Sequence, residues 1–444
     1  MKKILSVLFV LFIFSLSVCA KGIKSDLSEV ITDSNISKHA VSISIKDLNT
    51  GKSVYALNEK NLIPPASVQK MLTLPAAIDT LGENYEFSTE IFSRGNGKYL
   101  IKLGADPYFS FSDLKTLISK IDDDNVNTVF IDDTIIEKKD WGEGWQWDDD
   151  LNIHMPRFNS YNLDDNIIKI TIMKDNSGEK TIVINPSKYP LTFLNNVTAG
   201  EESDIKISRD NSVSANALTL CGTVNTPVTY YIPLNNLKRY FDFKLRQGLE
   251  DRNIYLKNPY YIDKTKSTDK ELTRIVHPIS EAIQDILKNS NNMASETVMK
   301  IASAKAYNHT GTDVDGTKLF NTYCQKLGLN TSGIRIVDAS GVSKNNLLYA
   351  DFITEYLKKN HSNKTLQNLP SPGEGTLSNR MIPLKDYLKA KTGTLSDISG
   401  ISGYLTSKSG KKYVFSIMIN DPNSSEADKK TFEDYFIREL WLKG

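Results

Sequence analysis

The sequence predicts an α+β fold in which strands from both ends of the chain form one sheet. Near the N-terminus, β-like runs at residues 41–45 and 54–57 flank an Asn/Gly turn, a pattern typical of a hairpin. Further strand candidates lie near the C-terminus, at residues 387–391, 400–405 and 413–419. Helical periodicity occupies residues 67–81, 279–307, 315–327 and 427–441. Helices between strands of one sheet indicate an α+β domain.

The middle of the chain has a different character. Residues 86–261 contain many short β-like runs separated by turns rich in Asp, Asn and Gly. The clearest of these runs are residues 99–103, 129–131, 167–173, 181–184 and 228–232. We therefore expect one or two β-rich domains at 86–261, inserted into a main domain formed by residues 21–85 and 262–444.

Composition excludes several classes of protein. The 444 residues, 40% hydrophobic and 24% charged, suit a globular chain of two or three domains. Lys and Arg (54) balance Asp and Glu (53), so no charge excess favours nucleic acid as a partner. Three cysteines are too few for a disulfide scaffold, and we expect Cys221 and Cys324 to be packed thiols.

The first twenty residues are typical of an export signal. Lys2 and Lys3 precede an apolar run at residues 4–18, which leads to the small-residue ending Val18-Cys19-Ala20. We predict a signal peptide at 1–20 and an exported protein of the periplasm or cell envelope. A membrane anchor is one alternative, although the run is short for a bilayer span. Another is a lipid anchor on Cys19, to which Val18 is poorly suited.

Three short motifs are candidates for a catalytic site: Ser67-Val68-Gln69-Lys70, Ser290-Asn291-Asn292 and Lys391-Thr392-Gly393. The first two patterns recur elsewhere, where a solvated turn is the simpler interpretation, whereas Lys-Thr-Gly occurs once. The context of the first motif is more informative than its pattern. Pro64-Pro65 precedes it and a helical pattern follows, so the Ser67 hydroxyl and the Lys70 amine should lie one turn apart.

A serine hydroxyl becomes a good nucleophile when a neighbouring base takes its proton, and Lys70 is positioned to do so. Desolvation and a second cation, for which Lys391 is a candidate, would both lower the pKa of Lys70. Ser290, at a junction between two helical patterns, could relay a proton, and the Asn292 amide could orient a substrate amide. At the end of a β-run, Lys391 and Thr392 could bind a carboxylate, while Gly393 would let a substrate backbone approach.

In this order and combination, the motifs resemble those of the serine penicillin-recognising enzymes, which comprise penicillin-binding proteins and serine β-lactamases. The 219 residues between Lys70 and Ser290 are too many for a simple β-lactamase. They resemble the insertion of the class C low-molecular-mass penicillin-binding proteins, the D-alanyl-D-alanine carboxypeptidase/endopeptidase family. Other stretches share the resemblance: Gly104-Ala105-Asp106-Pro107, Trp145-Gln146-Trp147-Asp148-Asp149, Asp338-Ala339-Ser340-Gly341-Val342-Ser343 and Gly375-Thr376-Leu377. The sequence departs from the family at Asn291 and at 293–296.

The resemblance implies a five-stranded antiparallel sheet flanked by helices and a serine DD-peptidase that acts on peptidoglycan stem peptides. It assigns acyl-enzyme formation to Ser67, base catalysis to Lys70 and proton relay to Ser290. The implied substrate-binding residues are Asn292, Lys391, Thr392, Gly393 and Thr394, and the backbone N–H groups of Ser67 and Thr394 would form the oxyanion hole. No metal or cofactor is implied, and β-lactam antibiotics would bind covalently as inhibitors.

Two alternatives stay open. A serine β-lactamase would need a positioned deacylating base, but the sequence has no E-x-x-L-N motif to supply one. A cell-wall binding protein with an inactive site would have no chemical need to keep Ser67, Lys70 and Lys391 together. We interpret the tryptophans at 141, 145 and 147 as packing beside a solvated acidic loop, and the five scattered histidines as surface or core residues. Carboxypeptidase or endopeptidase preference and oligomeric state stay undetermined.

Overall fold

The structure is a computed structural model that describes residues 22–122, 126–174, 183–185, 190–209, 217–256 and 261–444. The predicted signal peptide at 1–20, with Cys19, lies outside the described residues. Within those ranges, no helix is both long and apolar enough to cross a membrane.

A five-stranded sheet assembled from both ends of the chain forms the centre of the main domain. In spatial order its strands are β14 (Leu388–Leu395), β15 (Ile398–Thr406), β16 (Lys412–Asn420), β1 (Val41–Asp47) and β2 (Ser53–Leu57). All four neighbouring pairs are antiparallel. The predicted hairpin, the predicted joining of the two chain ends and the α+β fold are therefore confirmed.

Both faces of this sheet are covered by helices, because successive side chains of a strand point to opposite faces. On β16, Phe415 and Ile417 face one apolar core with α1 (Ile23–Asp33) and α9 (Glu426–Lys443). Val414 and Met418 face a second core on the other side.

The second core holds the helices that carry the candidate site. They are α2 (Lys70–Leu81), α5 (Ile279–Gln284), α6 (Asn292–Tyr307), α7 (Asp313–Lys326) and α8 (Ala350–Lys359). Met71, Val298, Phe320 and Tyr356 are among the apolar side chains that these helices bury together. Burial on this scale fixes the start of α2 and the start of α6 relative to the sheet.

The middle of the chain has a core of its own, between small sheets and two helices. The helices are α3 (Phe111–Ile118) and α4 (Leu237–Glu250). One sheet has the order β12 (Tyr261–Ile262), β5 (Thr128–Asp132), β4 (Lys98–Lys102), β3 (Glu86–Gly95) and β13 (Lys270–Pro278). The two others consist of β11 (Val228–Pro233), β6 (Ile167–Met173) and β7 (Val183–Asn185), and of β8 (Thr192–Ala199), β10 (Ala217–Val224) and β9 (Asp204–Arg209).

Strand β13 pairs with β3, so one sheet joins residues on both sides of the predicted boundary at 261/262. The division into domains at 21–85 with 262–444 and at 86–261 stays a prediction.

Several local expectations need correction. Residues 66–69 form a 3₁₀ turn before α2 rather than the first turn of an α-helix. Lys391-Thr392-Gly393 lies inside β14 rather than at its end, because pairing with β15 continues to Leu395. Cys324 is buried as expected, but Cys221 is exposed on β10, so the expectation of a packed thiol there is wrong.

Candidate active site

The tight turn before α2 places Ser67 and Lys70 side by side. Pro64 and Pro65 restrict the approach to the helix, and Ala66 adopts a left-handed conformation with φ 48°. Ser67 then lies in the 3₁₀ turn Ala66–Gln69, and Lys70 is the first residue of α2. The Lys70 Nζ and Ser67 Oγ atoms are 2.9 Å apart.

Three oxygen atoms surround the amine of Lys70, whose side chain is fully buried. Besides Ser67 Oγ, they are Asn292 Oδ1 at 2.5 Å and the Ser340 backbone carbonyl at 2.8 Å. The last two can only accept hydrogen bonds, so a neutral amine donates both of its N–H bonds to them. Its lone pair is then left facing the Ser67 hydroxyl, the arrangement that a general base needs.

Burial lowers the pKa of Lys70 from 10.5 to about 7, while the charges of Asp338 and Glu296 act in the opposite direction. The contribution predicted for Lys391 is absent, since burial is the cause that lowers the pKa of Lys70. The charge of Lys70 instead adds to the effect of burial in holding the pKa of Lys391 well below its usual range.

Asn292, at the start of α6, is fixed from both sides. Its Nδ2 donates to the backbone carbonyl of His154 at 2.7 Å, which turns Oδ1 toward Lys70. One N–H and one lone pair of this amide stay available to another molecule. Ser290, two residues earlier, is left-handed with φ 64° at the junction between a π-helical turn (Asp285–Asn289) and α6, as the sequence pattern indicates.

Strand β14 brings the third motif to the same place. The buried Lys391 amine donates to Ser290 Oγ at 3.1 Å and to the Thr392 carbonyl at 3.0 Å. The Thr392 hydroxyl donates to the Thr376 hydroxyl at 2.6 Å. Thr394 is exposed on the same strand.

Gly393 lies directly against the 3₁₀ turn Ala66–Gln69. A Cβ atom on Gly393 would be 2.8 Å from the Ser67 backbone nitrogen and 2.9 Å from the Ala66 Cβ. The sequence predicts that this glycine admits a substrate backbone. Its observed neighbour is the Ser67 turn itself, which can approach β14 only because position 393 has no side chain.

Two buried carboxylates whose charges act on Lys70 are not predicted as site residues from the sequence. Asp338 accepts hydrogen bonds from Gln69, Asn346, Trp145 and two backbone N–H groups. Glu296 accepts from the backbone N–H groups of Ala339 and Ser340. Asp338 lies in one of the stretches that share the family resemblance, but nothing in its sequence context signals burial beside a lysine.

The segment around residues 141–158 contributes to the site from the middle of the chain. The Trp145 indole donates to Asp338 Oδ2 at 3.0 Å, and Trp145 stacks edge-on with Trp141 at 5.1 Å. Met155 and Phe158 join Trp145 in an apolar cluster with Met293. Trp147 is instead 86% exposed beside the acidic loop, so the packing interpretation holds for two of these three tryptophans.

The histidines form no shared centre. The side chain of His277 pairs with Asp106 at 2.6 Å, and the four others are exposed. Among the described residues, no group of three His, Cys, Asp or Glu side chains is arranged to hold a metal ion.

Comparison with known proteins gives one consistent family. The sequence profile of the D-Ala-D-Ala carboxypeptidase 3 (S13) family matches residues 23–438. A D-alanyl-D-alanine carboxypeptidase of an Actinomadura species (strain R39) is 24% identical over 436 residues, covering 90% of this chain and 81% of the relative. D-alanyl-D-alanine carboxypeptidase DacB of Haemophilus influenzae is 22% identical over 445 residues, covering 94% and 92%.

The fold comparison agrees. The crystal structure of penicillin-binding protein 4 (DacB) from Haemophilus influenzae superposes with a TM-score of 0.83 at 20% identity, covering 94% of this chain and 99% of that one. A second structure of that protein, in complex with a β-lactam, gives a TM-score of 0.77 at 19% identity over the same shares. By the extent of the family match, this chain belongs to the D-Ala-D-Ala carboxypeptidase 3 (S13) family.

Proposed function

We propose that the protein is a serine DD-peptidase that cleaves D-Ala-D-Ala ends or D-Ala cross-links of peptidoglycan stem peptides through an acyl-enzyme. The observation that carries the proposal is the contact of Ser67 Oγ with a buried lysine amine whose other two partners are pure acceptors. Such an amine, with a pKa of about 7, is a base matched to neutral pH.

In the acylation step, Lys70 takes the proton of the Ser67 hydroxyl as Oγ attacks the carbonyl carbon of the penultimate D-Ala. The backbone N–H groups of Ser67 and Thr394 receive the negative charge that develops on the carbonyl oxygen. The bond from the carbonyl carbon to the terminal D-Ala nitrogen then breaks, and the proton held by Lys70 passes through the Ser290 hydroxyl to that nitrogen, which leaves as an amine. Water hydrolyses the ester on Ser67 in the second half of the reaction.

Lys391 and Thr392, with Thr394, bind the carboxylate of the terminal residue. Burial and the charge of Lys70 hold the pKa of Lys391 low in the free protein. An arriving carboxylate would favour the ammonium form, because an opposite charge close by stabilises it. The free N–H of Asn292 holds an amide of the acyl chain.

The same reaction makes β-lactam antibiotics covalent inhibitors, since they present a reactive amide to the same serine. The family match and the leader-like residues 1–20 support action outside the cytoplasmic membrane, on the cell wall.

Purified protein incubated with uncross-linked and cross-linked muropeptides tests the proposal, with products identified by mass spectrometry. We expect loss of terminal D-Ala, cleavage of D-Ala cross-links or both, and no product from a Ser67→Ala variant. Rapid turnover of penicillin without muropeptide cleavage would favour a β-lactamase. Binding to isolated cell wall with no product from either muropeptide would favour an inactive wall-binding protein.

A further inference from the structure

We propose that Glu296 is a positioning residue for the base: it holds the Ser340 carbonyl against Lys70, and its negative charge helps Lys70 to keep the proton taken from Ser67. This inference rests on the proposed function, because it concerns how the same serine is activated.

The contacts form a continuous chain. Glu296 projects from α6, is 2% exposed, and accepts from the Ala339 N–H at 3.0 Å and from the Ser340 N–H at 2.8 Å. The Ser340 carbonyl accepts from the Lys70 amine at 2.8 Å. On the other side of this segment, the Thr73 hydroxyl donates to the Ala339 carbonyl at 2.7 Å. The carboxylate therefore orients the peptide that orients the base.

The charge of Glu296 acts on the same lysine. Burial alone lowers the pKa of Lys70, and Glu296 and Asp338 are the two groups that oppose this effect. A base with too low a pKa holds the serine proton poorly, which reduces general-base catalysis. Glu296 would thus keep Lys70 strong enough to act.

The charged groups around Lys70 and Glu296 come from α6, α7, β14 and two loops. Lys70 faces Asp338 and Glu296 and also adds to the shift of Lys391 on β14. Burial and the charges of Asp338 and of Asp313, at the start of α7, raise the pKa of Glu296. Both of its oxygens accept N–H bonds from Ala339 or Ser340, which lower this pKa and favour the carboxylate form. Lys300, further along α6, pairs with Asp313 and Glu137, both at 3.1 Å.

Replacing the carboxylate by an amide of the same shape tests both parts of the inference. The rate of Ser67 acylation by a fluorescent penicillin is measured from pH 5 to 9 in wild type and in Glu296→Gln, with the melting temperature of each. Lys70 is active when neutral, so loss of the negative charge should move the rising limb of the profile to lower pH. The plateau should fall about tenfold or more, because the base is weaker and less well held.

Glu433→Gln is the matched control. Glu433 is also a fully buried carboxylate, but it lies on α9 between Arg380 and Ser399. We expect Glu433→Gln to lower the melting temperature but to leave the rising limb of the acylation profile at its wild-type pH. Glu296→Asp, which keeps the charge on a shorter side chain, should lower the plateau and leave the limb near its wild-type position. If Glu296→Gln does not fold, Glu296→Asp is compared with Glu433→Asp, which shortens a buried carboxylate away from the site, and only Glu296→Asp should lower the plateau.

If the acylation rate of Glu296→Gln depends on pH as in wild type, the inference is wrong. A lower plateau rate with the rising limb at its wild-type pH would also overturn it, since a loosened fold alone produces that result. A limb shift without loss of rate would also contradict it. If Glu296→Gln does not fold, two results with Glu296→Asp would overturn the inference. One is a plateau rate equal to that of wild type. The other is a shift of the rising limb to lower pH as large as that expected for loss of the charge. Failure of the proposed function is distinct, because it shows in wild type itself, which would then release no product from either muropeptide.

Discussion

Gly393 lies at the contact between β14 and the 3₁₀ turn Ala66–Gln69, where a side chain has no room. The nearest atoms to a Cβ at this position belong to the backbone of Ser67 and Val68 and to the Ala66 side chain, all within 2.9 Å. Two of these three are backbone atoms, which cannot rotate away as the end of a flexible side chain would. A substitution must therefore displace Ser67 relative to Lys70 and Lys391.

Gly393→Ala should reduce the rate of Ser67 acylation by penicillin about a hundredfold, because a misplacement of roughly 1 Å can cost that much. The measurement is the second-order labelling rate, with circular dichroism to confirm the fold. Gly400→Ala is the control, since Gly400 is the cross-strand partner of Gly393 but has its nearest neighbour at 3.4 Å. Equal labelling rates for the two variants would show that the close contact is unimportant.

Among individual residues, those that lie within the ordered set of motifs could be predicted from the sequence as site residues. Ser67 and Lys70 lie in contact as their spacing predicts, and Lys391 contacts Ser290, which lies 101 residues earlier in the chain. Glu296 was noted only as a departure from the family, because its importance depends on burial and on backbone partners that the sequence does not display.

The segment at residues 141–158 belongs to the middle of the chain but supports two residues of the site. It supplies the His154 carbonyl to Asn292 and the Trp145 indole N–H to Asp338. The site thus depends on packing between this segment and the start of α6, where Met155 and Met293 share one apolar cluster.

Trp145→Phe removes the indole N–H and leaves the buried Asp338 carboxylate with one donor fewer. We expect the free energy of unfolding in urea to fall by about 1–3 kcal/mol, the usual cost of an unsatisfied buried group. Trp147→Phe, in the same segment but 86% exposed, should stay within about 0.5 kcal/mol of wild type. Indistinguishable stabilities would mean that the Trp145–Asp338 contact contributes nothing.

Elements with strong periodicity were predicted well. The strands near both chain ends and the helices α7 and α9 match their patterns. The 3₁₀ turn before α2 and the extension of β14 beyond Gly393 were not predicted, because backbone strain at Ala66 and pairing with β15 decide them. Helix α8 is missing from the helices predicted from the sequence. It nevertheless has a buried face, formed by Phe352, Ile353, Tyr356 and Leu357.

The whole molecule brings together groups that are far apart in the chain. Ser67 and Lys70 begin α2, Ser290 and Asn292 begin α6, the Ser340 carbonyl comes from a loop, and Lys391 lies on β14. This arrangement exists because one sheet contains both chain ends and two apolar cores fix the helices on its faces. The joining of the ends was predictable from strand patterns, whereas the pairing of β13 with β3 was not.

The central claim is that Ser67, activated by Lys70, is the nucleophile. Its most direct test is reaction of the protein with a fluorescent penicillin, followed by mass-spectrometric identification of the modified residue in wild type and in Ser67→Ala. We expect one adduct, on the peptide that contains Ser67, and no adduct in the variant. An adduct on another residue, or undiminished labelling of Ser67→Ala, would contradict it.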